Sequence, residues 1–278
     1  MTYTIYSATG CARCKITKNY MQENGIDFEE FDIKAEGKDA FAQFYREHRK
    51  DIFRDKDGVE FPVLTDGAII RQGVSVIIGY LLAGDKLQGY IGRSELHGEW
   101  LSGITVSGGE SAHVAELMAV LGHLKANNLK IQAVTSGKNS NVLAALLDKG
   151  LLDRLIVEVK GPAELYEKID GTTVGEEDLR QSVKLAVTAP ECSFFTTIAP
   201  VRRSATEIAY LSPEEVAAVA QLIAEATGSK KNSYTLCPFV PQENENAELR
   251  GLEKLPSSAL FKYRTAARRY QVLTELKK

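Results

Sequence analysis

Along the first 84 residues the apolar positions switch repeatedly between a period of two and a helical period. Thr2–Ser7 alternates Tyr3 and Ile5 with polar residues, which predicts a strand. Ile16, Tyr20 and Met21 give Ala12–Asn24 a helical pattern, closed by the C-cap pair Asn24-Gly25. A second strand is predicted over Phe28–Ile33. A short helix follows over Ala40–His48, with Phe41, Phe44 and Tyr45 on one side. Asp55–Gly58 reads as a charged turn. Phe61–Thr65 and Ala68–Arg71 read as a hairpin around Asp66-Gly67, a strong turn signal. Val74–Ala83 reads as a last helix, stopped by Gly84. The order is β-α-β-α-β-β-α.

From Gly103 the rhythm becomes strand-helix repetition. Strands are predicted at Gly103–Val106, Lys130–Val134, Arg154–Glu158, Ser193–Ile198 and Tyr234–Phe239. Helices are predicted at Ala112–Asn127, Asn141–Lys149, Glu176–Val187 and Pro213–Thr227, and an amphipathic one over Ser257–Leu276. Alternation of this kind implies a parallel sheet covered by helices. The fold class is therefore α/β, with about five strands in an open parallel sheet or a partial (β/α) barrel after the first domain. Gly84-Asp85-Lys86 marks the junction, giving domains 1–84 and 85–278.

Composition narrows the class. The 278 residues are 44% hydrophobic and 26% charged, as in ordinary globular proteins. A formal net charge of −3 supplies no basic field for nucleic acid, and none is expected as a partner. The most apolar window, Ala68–Ala83, is interrupted by Arg71 and Gln72, so no membrane association is expected and the expected location is cytoplasmic. The acidic stretch Glu243–Glu248 and the basic face of the last helix read as solvated. Four cysteines are too few for a disulfide scaffold.

Two of those cysteines carry the clearest chemistry. Cys11-Ala12-Arg13-Cys14 follows the first strand and opens the first helix. A thiol at a helix N-terminus is stabilised as thiolate by unpaired N–H groups and the helix dipole. Arg13, Lys15 and Lys18 add positive charge. Cys14 lies one turn on and can resolve a mixed disulfide, so Cys11 is the expected nucleophile. Zinc needs about four ligands, and no second Cys-x-x-Cys exists. Thr4-Ile5-Tyr6-Ser7, Gly10-Cys11-x-x-Cys14, Phe28-x-x-Phe31-Asp32 and Phe61-Pro62-Val63-Leu64 together resemble a glutaredoxin over residues 1–84. The resemblance implies a thioredoxin fold in which Pro62 is the cis-proline facing the cysteines, with Arg13, Phe61 and Pro62 holding the substrate. It departs at Glu60-Phe61 and at Gln72-Gly73-Val74-Ser75, where the family holds glutathione. A thioredoxin-type reductase and glutathione both stand as reductants, and no cofactor is required for the redox step.

In the second part, Ile104-Thr105-Val106-Ser107-Gly108-Gly109-Glu110 ends a strand in two glycines and a carboxylate. Glycines admit close backbone approach of a ligand, and the carboxylate can accept from an ammonium group. Gly89-Tyr90-Ile91 with Ser94, Thr135-Ser136-Gly137, Leu152-Asp153, Val157–Pro162, Tyr166 and Phe195-Thr196-Thr197 accompany it. The series resembles the radical S-adenosylmethionine activases, especially those of anaerobic ribonucleotide reductase, over residues 87–240. The resemblance implies S-adenosylmethionine as a ligand of Ser107, Gly108, Gly109, Glu110, Ser136 and Lys160. It departs where the Cys-x-x-x-Cys-x-x-Cys loop should stand, because Ile91–Gly103 holds no cysteine. An iron–sulfur cluster, which needs Cys thiolates held together, is therefore not expected, and no metal ligands are assigned. Cys192 and Cys237 read as packing residues.

The expectation is a thiol–disulfide oxidoreductase whose second, cluster-less domain docks a protein disulfide client. By resemblance that client is a glycyl-radical enzyme such as anaerobic ribonucleotide reductase. Two alternatives stand beside it: a radical activating enzyme with an unusual or lost cluster, and a non-catalytic adaptor or pseudoenzyme.

Overall fold

The protein is described by a computed structural model covering residues 2–56, 58–93, 96–244 and 246–277. Ser94 of the second motif series, Asp57 of the charged turn and Glu245 of the acidic stretch lie outside them. The chain forms two compact units, Met1–Thr105 with Gly109–Ile131, and Val106–Gly108 with Gln132–Lys278.

In the first unit, β1 (Tyr3–Ser7), α1 (Ala12–Glu23), β2 (Phe28–Asp32) and α2 (Lys38–Glu47) are followed by the short β3 (Arg54–Asp55) and β4 (Gly58–Val59). Then come β5 (Val63–Thr65), β6 (Ile70–Gln72) and α3 (Val74–Ala83). The mixed sheet has the order β2-β1-β5-β6. β1 is parallel to β2, pairing Ile5 with Glu30, and antiparallel to β5, pairing Ile5 with Leu64. This is the thioredoxin-like arrangement expected from the sequence. Alternation in β1 sends Ile5 into a core with Met21 of α1, Leu64 of β5 and Ile77 of α3, each 0% exposed. Tyr6 faces the other way and carries α2, its ring 4.8 Å from Phe44 and 5.2 Å from Phe41. The Asp66-Gly67 turn forms as read: the Asp66 carboxylate accepts from the N–H groups of Ala68 and Ile69, and Gly67 takes φ +92°. The unit continues through the hairpin β7 (Leu96–His97) and β8 (Trp100–Thr105) to α4 (Val114–Ala126), which packs against α3.

The second unit is built on five parallel strands in the order β9-β10-β11-β14-β15. They are β9 (Lys130–Thr135), β10 (Arg154–Glu158), β11 (Glu191–Ile198), β14 (Tyr234–Pro238) and β15 (Thr274–Leu276). Between them run α5 (Ser140–Asp148), α6 (Tyr166–Asp170), α7 (Glu176–Ala186), a hairpin of β12 (Pro200–Arg202) and β13 (Ile208–Tyr210), and α8 (Pro213–Thr227). α9 (Ala247–Arg250) and α10 (Ser257–Ala267) follow β14. α8 has a full capping box, Ser212 and Glu215 each bonding the other's backbone, with Pro213 at its first position.

The C-terminus corrects the sequence reading. The helix expected to run to Leu276 stops at Ala267, and the last strand lies beyond it. The turn is fixed by Gln271, 0% exposed, whose amide accepts from the Asn232 N–H and donates to the Ser229 carbonyl. A buried amide with both ends bonded outweighs the apolar period that continues through Val272 and Leu273.

Candidate functional site

The site of the first unit grows from the end of β1. The loop Ala8–Gly10 turns the chain, with Gly10 at φ +83° and the Cys11 N–H bonded to the Ala8 carbonyl. Cys11 then caps α1: its sulfur accepts from the Cys14 N–H at 3.1 Å. The helix N-terminus is thus aimed at the Cys11 sulfur, as the sequence predicts. Cys11 and Cys14 are joined as a disulfide, their Cα atoms 5.3 Å apart. Exposure separates their roles. Cys14 is 1% exposed, whereas Cys11 is only partly covered. An external sulfur can therefore reach Cys11 and not Cys14.

Phe61 and Pro62 stand across from the cysteines. Their peptide bond is cis, and the Phe61 carbonyl oxygen lies 3.9 Å from Cys11 Sγ. The Phe61 ring packs edge-on against Phe41, 4.9 Å between centroids. Arg13 reaches Glu60 at 3.1 Å, linking α1 to the residue before Phe61.

The positive charge around Cys11 is more compensated than the sequence suggests. Arg13 is paired with Glu60, and Lys18 with Glu30 at 2.5 Å. Glu30 also accepts from the Ser7 hydroxyl. Neither carboxylate was legible as a partner, because Glu30 lies on β2 and Glu60 in the link between β4 and β5, both outside α1. A cleft of about 330 Å³ opens beside the disulfide, lined by both cysteines with Lys15, Lys18, Glu30 and Asp32 among others. Asp32 fastens its rim: it accepts from the Thr9 hydroxyl, the Thr9 N–H at 3.2 Å and the Lys34 N–H at 2.8 Å. The Thr9 hydroxyl, followed by the Lys34 amide, holds the Asp32 carboxyl below the usual carboxylate range.

Residues 3–67 match the family model described as Glutaredoxin. The N-terminal part of the chain is a glutaredoxin domain. Among solved structures, the glutaredoxin-like protein NrdH-redoxin from Escherichia coli is 28% identical. The match covers 27% of this chain and 84% of that one, with a TM-score of 0.21. A domain of pyruvate-formate lyase-activating enzyme from Bacteroides vulgatus is 10% identical, over 63% of this chain and 98% of that one, with a TM-score of 0.44. No curated protein matches the chain.

The residues singled out in the second half are placed as follows. Ser107 Oγ accepts from the Ser136 N–H at 3.1 Å. The Ser136 carbonyl accepts from the Tyr166 hydroxyl at 3.0 Å, and that hydroxyl accepts from the Lys160 N–H at 3.2 Å. Ser107, Ser136 and Lys160 are thus joined through Tyr166, whose ionisation is pushed up chiefly by burial. The Lys160 ammonium is paired with Asp170. Gly108 is exposed. In the first unit, Gly109 lies against the Tyr90 ring so closely that a Cβ there would come within 2.3 Å of it. Glu110 is largely exposed, with His113 at 3.9 Å.

The motif reading gave no separate role to Glu158. It lies at the C-terminal end of β10, in a cleft of about 210 Å³ with Lys160, Asp170, Thr197 and Phe239. Burial raises its carboxyl; Lys160 and a 3.4 Å bond from Thr197 oppose that. The C-terminal ends of parallel strands are the usual ligand side of such a sheet.

Cys192 and Cys237, half-buried rather than fully packed away, sit on β11 and β14. Burial pushes the Cys192 thiol up to about 12 and raises Cys237 as well, against the opposing charge of Lys277. Among the described residues no three His, Cys, Asp or Glu side chains are grouped to hold a metal ion. No described helix is long and apolar enough to cross a membrane.

Proposed function

We propose that this chain is a dithiol–disulfide oxidoreductase acting on a protein disulfide. The observation that carries the reading is the pairing of a reachable Cys11 at the α1 N-terminus with a covered Cys14 one turn on, facing the Phe61–Pro62 segment. In the reduced protein the Cys11 thiolate attacks the client disulfide. One client sulfur leaves as a thiolate and takes up a proton. Cys14 then gives up its proton and its sulfur attacks Cys11. The second client sulfur departs, and two electrons have passed from the dithiol to the client.

The reductant that restores the dithiol is a thioredoxin-type reductase rather than glutathione. Of the side chains where a glutaredoxin holds glutathione, two are covered and a third is bonded elsewhere. Val74 and Ser75 are 0% exposed. The Gln72 amide bonds the Phe53 backbone and the Glu60 carbonyl, at 2.9 and 3.0 Å. The resemblance of residues 87–240 to the activases of anaerobic ribonucleotide reductase supports a glycyl-radical reductase as the client, docked by the second unit without cluster chemistry.

The test is reduction of a disulfide-linked protein by the full chain with NADPH and thioredoxin reductase. Cys11→Ser should abolish turnover, and Cys14→Ser should trap the client on Cys11 as a mixed disulfide visible by mass spectrometry. Absence of activity in the wild type with either reductase or glutathione would refute the reading.

A further inference from the structure

One face of the second unit has no part in the scheme above. Residues 257–278 carry six Lys and Arg against a single acid, Glu275, in a chain whose net charge is −3. α10 and the turn after it also leave Phe261, Val272 and Leu273 exposed, at 52%, 46% and 53%. Phe261, Arg264, Thr265 and Arg268 follow the i, i+3, i+4, i+7 spacing that sets them on one helix face. Val272 and Leu273 lie just beyond. The Val272 N–H bonds the Lys230 carbonyl at 2.9 Å, which brings the exposed Lys230 and Lys231 alongside.

Four other arginines of this unit, Arg154, Arg180, Arg202 and Arg203, are each paired with a carboxylate. Among the described residues Arg264, Arg268 and Arg269 have no such partner. They are oriented by other means. Arg264 stands 5.1 Å from the Phe261 ring centre, and Arg268 Nε and Arg269 Nε donate to the Thr274 and Ala266 carbonyls, each at 3.2 Å. A guanidinium fixed in this way, with its terminal nitrogens unpaired, is pre-set for bidentate pairing with a carboxylate. Cations near a helix C-terminus do complement its dipole. That leaves unexplained the apolar side chains standing in water among them. Arginine beside exposed aromatic and aliphatic side chains is the composition of a protein interface.

We propose that this face docks an acidic segment of a protein partner. Its carboxylates pair with Arg264, Arg268 and Arg269 while its apolar side chains cover Phe261, Val272 and Leu273. The inference gives client docking by the second unit its place and chemistry, and rests on that part of the proposed function. A second copy meeting this face across a two-fold axis would set like charges against each other. A nucleic-acid backbone would pair the cations and leave the aliphatic side chains in water.

The probe is a fluorescein-labelled peptide with Leu and Glu on one helical face, titrated with the full chain and followed by anisotropy. The wild type should bind it, and binding should weaken as added salt screens the charges. Lys231→Glu combined with Arg269→Glu should weaken binding by roughly tenfold or more, and Leu273→Ser by several-fold. Both variants should release thionitrobenzoate from dithionitrobenzoate as the wild type does, because Cys11 and Cys14 are untouched. The proposal is overturned if the wild type does not bind the peptide, or binds a version with Ser for Leu equally well, or if neither variant loses affinity. It is also overturned if phosphatidylserine vesicles or single-stranded oligothymidylate bind the wild type more tightly than the peptide and are lost in the same variants. Absence of thionitrobenzoate release by the wild type would overturn the oxidoreductase reading, a failure separate from loss of peptide binding.

Discussion

Each unit holds two cysteines, and the two pairs sit in opposite surroundings. In the first unit the sulfur of Cys11 sits on a helix N-terminus and accepts a backbone N–H. In the second, Cys192 and Cys237 project from adjacent parallel strands, where burial dominates and the thiol is the stable form. The lesson is that exposure alone does not make a thiol reactive, since Cys11 and Cys237 are both only partly covered. What differs is the field: oriented amides at a helix start against the nearly cancelling dipoles of strands.

The most direct attempt to break the contrast is alkylation of the reduced protein. At pH 7.5 iodoacetamide should modify Cys11 first and Cys192 last. An ordinary thiol near 8.5 and one at about 12 differ in thiolate fraction by roughly 10³-fold or more. Mass spectrometry of tryptic peptides over time gives the ratio directly. Comparable rates at Cys11 and Cys192 would remove the electrostatic distinction.

What was legible beforehand follows the range of the interactions. Val74–Ala83 and Pro213–Thr227 are helices with the bounds that their own caps and periods predict. Cys11 and Cys14 were legible because their chemistry is written in adjacent residues, and the Phe61–Pro62 segment was marked only by its resemblance to glutaredoxins. The Arg13–Glu60 pair joins residues 47 positions apart, and Lys18–Glu30 joins residues 12 apart across two elements. No local pattern announces either. The same holds for β15, which forms because Gln271 finds Asn232 and Ser229, and for Glu158, whose cleft is assembled from three strand ends. The short hairpin β12–β13 carries too few residues for its alternation to stand out.

A smaller change sharpens the contrast by altering the field at Cys11 alone. Glu60 compensates Arg13 at 3.1 Å and so removes part of the positive charge beside the sulfur. Glu60→Gln should leave the guanidinium uncompensated and increase the Cys11 thiolate fraction at pH 6. One unit charge a few ångströms away in a wet site is worth roughly 1 kcal/mol, or about fivefold. The expected outcome is a several-fold faster alkylation of Cys11 at pH 6, fading as pH rises and the thiolate saturates, with Cys192 and Cys237 unmoved. An unchanged Cys11 rate would mean that the helix N-terminus alone sets its reactivity.

The smallest expected effect concerns the loop that presents the nucleophile. Asp32 is bonded by the Thr9 hydroxyl, the Thr9 amide and the Lys34 amide, and these bonds favour its charged form. Its carboxyl is lower in the folded chain than in the unfolded one, where it lies near 3.9. The unfolded state therefore binds the proton more readily. The contribution of Asp32 to stability is present above that unfolded value and is lost as pH falls through the folded one. Asp32→Asn should lower the melting temperature slightly, by a constant amount between about pH 5 and 7, and the gap should close below about pH 4. Cys192→Ser, which removes no carboxylate, should show no comparable closing. If the Asp32→Asn gap persists unchanged into strong acid, the carboxylate's charge is not what fastens Thr9 beside Cys11. Shape and the neutral hydrogen bonds would then hold the nucleophile loop, and the two cysteine environments would differ in the helix dipole and not in the anchoring of their loops.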